Sequence, residues 1–169
     1  MASGRDTQLT KQIGEYLVAA ELSRRGFQCA TFSGNIPHYD IAAIARDGAH
    51  TPVQVKTIRK GTWQFDATRF VEIQFRGNKQ SVGNLVPCPM PGLICVLVRI
   101  ADYGSDEFYV LPWIDLQALV ATSYSGLLLK RGGVRAKTPS TTHTIITPKQ
   151  IIHFRDNWAI VGRGSPPGA

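Results

Sequence analysis

The chain has 169 residues, of which 43% are hydrophobic and 18% charged, with a formal net charge of +7. That length suits one well-buried domain and is short for two, and the composition places the chain with globular proteins and not disordered ones. No apolar run approaches the ~20 residues of a membrane span, and the first residues lack the apolar core of a signal peptide, so a cytoplasmic protein is expected.

Residues 1–7 read as a flexible lead-in. From Gln8 to Gly26 the pattern is helical: Leu9, Ile13, Tyr16, Leu17 and Ala20 recur as one stripe, and Gly26 is a C-terminal stop. Val18, Ala19 and Leu22 form a second apolar arc that contains Glu15. A carboxylate there is either a functional acid or half of a helix-surface salt bridge. Phe27 to Phe32 is a strand candidate, and Ser33 to Pro37 a turn by composition.

His38 to Lys60 reads as two strands joined at Asp47-Gly48. Alternation puts Gln54 and Lys56 on one face and Val53 and Val55 on the other. The register decides whether Asp40 joins them. A two-residue turn puts Asp40 opposite Val55. A three-residue loop, with Gly48 left-handed, pairs Ala45 with Ala49 and brings Asp40 opposite Gln54. Asp-Gly fits either, and a functional site here requires the second. Buried charge among apolar residues is expensive unless it is paired or holds a metal.

Beyond Lys60, Trp63–Phe65 and Phe70–Phe75 are short alternating strands, and Arg76 to Gly92, with three prolines and three glycines, is a long irregular loop. Leu93 to Val98 has no polar break, as expected of a central strand buried on both faces. Phe108–Leu111 is its neighbour. Pro112 to Val120 is a short helix with proline at its start. Lys130 to Lys137 is a basic loop. Thr147-Pro148-Lys149-Gln150 opens a helical turn through a capping box. Trp113 and Trp158 are expected in the core, whereas Trp63 could stack on a base. Residues 8–161 form the expected domain, and 162–169, rich in Gly, Pro and Ser, a disordered tail.

Cys29, Cys88 and Cys95 are odd in number and lack Cys-x-x-Cys spacing, which argues for free thiols in a reducing compartment. The histidines are too scattered to suggest a metal site. The basic excess is compatible with a phosphate backbone as partner, a solvated face being the alternative for each cluster.

A helix carrying Gly14-Glu15-Tyr16-Leu17-Val18-Ala19-Ala20-Glu21-Leu22, then the Tyr39-Asp40-Ile41 acid, then Gln54-Val55-Lys56, resembles the start of the PD-(D/E)XK, or restriction-endonuclease-like, nuclease superfamily. The likeness is to small prokaryotic nucleases and Holliday junction resolvases. It covers residues 8 to 60 in motif, with Gln54 in place of the second acid. It implies an α/β restriction-endonuclease-like core, a central mixed β-sheet flanked by helices with an αβββ start. It further implies a Mg2+ ion, for which Mn2+ substitutes, held by Asp40, Gln54, the Val55 carbonyl and Glu15. Lys56 would orient or deprotonate the attacking water. Glu15, Asp40, Gln54 and Lys56 are thus the candidate catalytic residues.

The expected function is metal-dependent endonucleolytic hydrolysis of DNA, with Arg59, Lys60, Lys130, Arg131 and Arg135 tracking the backbone. A homodimer is entertained, since symmetric dimers are common among enzymes of this type that cut both strands. No membrane partner is expected. The alternatives are a catalytically degenerate relative that binds nucleic acid without cleaving it, and a protein-interaction domain with neither metal nor nucleic-acid affinity.

Overall fold

A computed structural model describes residues 4–32, 38–135 and 138–162. It begins with helix α1 (Gly4–Arg24), followed by β1 (Gln28–Thr31), β2 (Ile41–Ile44) and β3 (His50–Ile58). Next come β4 (Trp63–Asp66), β5 (Val71–Arg76), β6 (Lys79–Leu85), β7 (Ile94–Arg99) and β8 (Glu107–Pro112). Helix α2 (Trp113–Leu129), β9 (His143–Ile146) and the 3-10 segments Pro148–Phe154 and Trp158–Ile160 complete the chain. The central sheet has the order β1-β2-β3-β7-β8, with β3 and β7 parallel and the other neighbours antiparallel. This is the α/β fold with a mixed sheet and an αβββ start that the sequence suggests. No helix among the described residues is long and apolar enough to cross a membrane.

Side-chain alternation divides the core into two layers. On one face Val53 and Val55 of β3 and Ile94, Val96 and Val98 of β7 pack with Val18 and Leu22 of α1. On the other, Cys95, Leu97, Tyr109 and Leu111 pack with Leu116, Val120, Tyr124 and Leu128 of α2. β7 contributes to both layers, as its unbroken apolar sequence requires. The C-terminal segments divide between the layers, Ile151 with α2 and Trp158 with α1.

Several elements depart from the sequence reading. Helix α1 starts at Gly4, so Gly4 to Thr7 are its first turn; residues 1–3 and the expected tail beyond Gly162 lie outside the described residues. Its buried line is Gly14, Val18 and Leu22, while Leu9 and Tyr16 of the expected stripe are exposed. The reason is a close approach. A Cβ built on Gly14 would lie 1.8 Å from Thr57 Oγ1, so the helix backbone rests on β3 at its glycine and the apolar stripe turns aside. The expected long loop from Arg76 holds β6, because Gly77 (φ 58°) and Asn78 form a two-residue hairpin with Arg76 opposite Lys79. Its three prolines all follow Leu85, beyond the strand. Helix α2 runs nine residues past Val120, extending the four-residue spacing of Leu116, Val120, Tyr124 and Leu128.

Strand β9 pairs with β4, bringing Asp66 opposite His143. Asp66 caps the 3-10 turn Ala67–Arg69, accepting hydrogen bonds from the Thr68 N–H (3.1 Å) and the hydroxyls of Thr68 (2.9 Å) and Thr142 (2.7 Å). Burial pushes its carboxyl up, but those bonds and the neighbouring His143 outweigh it and hold the pKa below the ordinary value. A depressed acid stabilises the fold above its unfolded pKa, and the gain disappears as pH falls through its folded pKa. Asp66→Ala is expected to cost about 1 kcal/mol at pH 7, with the difference from wild type shrinking at pH 3. Urea unfolding at the two pH values measures it; an equal difference at both would remove the charge from the explanation.

Candidate active site

The central hairpin adopts the three-residue loop. Ala45 N–H donates to Ala49 O (2.8 Å), Gly48 has φ 85°, and Ile41 faces Val53, so Asp40 comes opposite Gln54. β2 ends at Ile41. Past that point Asp40 substitutes for the missing strand: its N–H donates to Val53 O (2.9 Å) and its Oδ2 accepts from the Val55 N–H (2.8 Å). The aspartate is therefore fixed at both ends in a notch beside β3, where β2 has left the sheet.

A cavity of about 450 Å³ opens at this notch, and Asp40, Gln54, Val55 and Lys56 all line it. Lys56 is half-buried, its ammonium 5.0 Å over the Phe65 ring. Burial lowers its pKa, Arg69 lowers it further, and Asp40 opposes both. The backbone carbonyl of Lys56 accepts from Trp63 Nε1 (2.9 Å), and Trp63 is fully buried. Trp63 is thus a core anchor under the site, which corrects the expectation of a base-stacking platform. Among the described residues Gln54 has no side-chain hydrogen bond, so its amide remains available.

Glu15 approaches from the helix side without lining the cavity. Lys11 Nζ lies 3.4 Å from Glu15 Oε1 and 3.4 Å from Asp40 Oδ1, joining the two acids. Burial raises the Glu15 pKa and the nearby Asp40 charge adds to it, while Lys11 pulls it back. Burial lowers the Lys11 pKa, but its two carboxylates outweigh that and leave it raised. Glu15 therefore takes part in a salt bridge and belongs to the acid pair at the same time.

The donor set can be tested for fit to a divalent ion. Among the described residues no three His, Cys, Asp or Glu side chains cluster at metal-binding spacing. What is present is two carboxylates already sharing one cation, plus a free amide oxygen and the backbone of Val55. Hard oxygen donors of this kind suit Mg2+ or Mn2+. Two carboxylates against Lys11 and Lys56 give the notch no net charge, so a divalent ion would have to compete with Lys11.

The basic residues expected to track a DNA backbone separate. Arg59 and Lys60 line a cleft between α1 and the end of β3 that shares Lys11, Val55 and Lys56 with the site, and Arg59 Nε donates to Thr10 Oγ1 (3.2 Å). Lys130 and Arg131 are exposed at the end of α2 and line neither cavity. Arg135 is half-buried, donating to His143 O (2.8 Å) with its guanidinium 5.6 Å over the Tyr124 ring. Lys137 lies outside the described residues, and His38, exposed with φ 82°, does not line the cavity.

Sequence reasoning missed Lys11, Asp66 and His143. Lys11 was legible as an i,i+4 partner of Glu15. The other two reach the cavity only through the pairing of β4 with β9, which no local pattern announces.

The sequence matches no known family profile and no curated protein at a significant level. Among solved structures it is similar to a bacterial homing endonuclease, I-Ssp6803I, at 14% identity over 91% of each chain, with a TM-score of 0.47. A likeness this loose says nothing of chemistry, which rests on the residues of the notch.

Proposed function

We propose that this protein is a metal-dependent endonuclease that hydrolyses phosphodiester bonds in DNA. The observation that supports this most is the meeting of Asp40, Gln54 and Lys56 at one cavity, with Glu15 tied to Asp40 through Lys11. Asp40, Glu15, the Gln54 amide and the Val55 carbonyl would hold Mg2+ or Mn2+. That ion would polarise the phosphodiester and acidify the attacking water. Lys56, with its lowered pKa, is placed to take a proton or to stabilise charge building on the phosphate. Arg59 and Lys60, in the adjoining cleft, would receive the backbone of the strand being cut.

The test is cleavage of supercoiled and linear DNA with Mg2+ or Mn2+. Wild type should cut, chelation should stop it, and Asp40→Asn should lose at least about 100-fold in rate. Asparagine can still accept the Val55 N–H, so the loop should survive and the loss should be chemical.

A second reading, a nucleic-acid-binding relative without catalysis, draws on Gln54 standing where the family has an acid and on Lys11 lying between the carboxylates. Salt-sensitive DNA binding with no cleavage under any divalent metal would favour it.

A further inference from the structure

We infer that Arg69, on the wall of the cavity that Asp40 and Lys56 also line, is a phosphate-binding residue that works with Lys56 to seat a phosphodiester group of the substrate. The inference rests on the DNA-cleaving reading for its substrate and on the cavity for its geometry. Arg69 ends the short turn Ala67–Arg69, whose middle residue Thr68 donates its N–H and hydroxyl to the Asp66 carboxylate, itself held by the Thr142 hydroxyl. Its side chain is exposed on the cavity wall and makes no hydrogen bond or ion pair among the described residues.

The cavity's charges divide into those that are satisfied and those that are not. Asp40 is engaged by the Val55 N–H and by Lys11; Asp66 is engaged by Thr68 and Thr142. Neither acid lies within ion-pair distance of Arg69 or Lys56. Arg69 and Lys56 nevertheless line the same cavity. Two cations on one cavity, neither ion-paired among the described residues, repel, and an anion bound by both would turn that repulsion into attraction. Phosphate oxygens fit this need: a guanidinium offers a planar fork of donors and an ammonium a point charge.

The experiment compares wild type with Arg69→Gln and Arg69→Lys in two arms. In the first, inorganic phosphate is titrated while the Arg69 Nε–H resonance is followed by NMR. A saturable shift in wild type is expected. In the second, binding of a DNA duplex is measured against salt without divalent metal. Arg69→Gln should weaken binding and reduce the slope of log K against log salt by about 1. Arg69→Lys should restore the slope but only part of the affinity. Thermal unfolding of all three should agree, since the side chain is exposed. A phosphate shift without DNA binding would support the anion site and overturn DNA as its source. DNA binding and cleavage with no phosphate shift and an unchanged slope in Arg69→Gln would overturn the inference while leaving the nuclease reading in place.

Discussion

Lys56→Met is expected to reduce metal-dependent cleavage by about 100- to 10,000-fold while the protein melts no lower than wild type. The two results come from the same fact. Lys56 is a half-buried cation with no anion at ion-pair distance among the described residues, and burial followed by Arg69 lowers its pKa. A cation with a depressed folded pKa costs stability below that pKa, and the cost is relieved as pH rises toward the unfolded value near 10.5. Methionine keeps the apolar stem over Phe65 and removes the desolvated charge, so nothing in the fold should suffer. In the wild type the same depression enlarges the neutral fraction at any given pH, and if Lys56 takes a proton the rate should climb with pH to a midpoint below that of a free lysine. Lys56→Arg separates the two roles open to the residue, because a guanidinium keeps its charge but cannot give up its proton. Retained activity in that variant would assign Lys56 to charge stabilisation; lost activity would assign it to proton transfer. Full cleavage by Lys56→Met would remove it from the chemistry.

Gly14→Ala should destabilise the protein although helix propensity alone favours the change. Alanine in place of glycine inside a helix gains about 1 kcal/mol. Against that, the added methyl would lie 1.8 Å from Thr57 Oγ1 and 2.8 Å from both Thr57 Cβ and Cγ2. Rotating the threonine moves Oγ1 but leaves its Cβ in place, so the helix itself must shift off β3. Overpacking of this kind costs roughly 1–3 kcal/mol or more, and contact with a strand's Cβ belongs at the upper end. The contact wins. Because Glu15 is the next residue, the shift should also pull the helical acid from Asp40 and lower activity beyond the loss in stability. Adding Thr57→Ala removes Oγ1 and Cγ2 but not Cβ, and should rescue only part of the loss. Chemical denaturation of the two single variants and the double variant gives the coupling directly; additive costs would show that Gly14 and Thr57 do not meet.

The hairpin that carries the site was the most legible part of the sequence. Asp47-Gly48 admits only two short loops, and only one brings Asp40 to the Gln54 side; Gly48 at φ 85° is the loop found. The unbroken apolar run of β7 likewise announced a central strand. The face of α1 was harder. Hydrophobic periodicity favoured the side of Leu9 and Tyr16, because a pattern of apolar residues does not register a glycine that lets two backbones touch. Strand β6 was hidden by the proline-rich segment that follows it, although Gly77-Asn78 is itself a hairpin signal. The far wall of the cavity was out of reach altogether. Asp66 and His143 are 77 positions apart and meet only when β4 and β9 pair. The surroundings of Arg135 were equally hidden: its guanidinium donates to the His143 carbonyl and lies over the Tyr124 ring, contacts that no local pattern announces.

Calorimetric titration of Mn2+ into the wild type, Asp40→Asn and Lys11→Met tests most directly whether the notch beside β3 is a cation site. One ion per chain should bind to the wild type, and Asp40→Asn should abolish binding. Lys11→Met should tighten it by about tenfold or more, worth about 1.4 kcal/mol, because the ammonium lying 3.4 Å from each carboxylate no longer competes. Equal affinity in all three proteins, or no binding in any of them, would contradict the account.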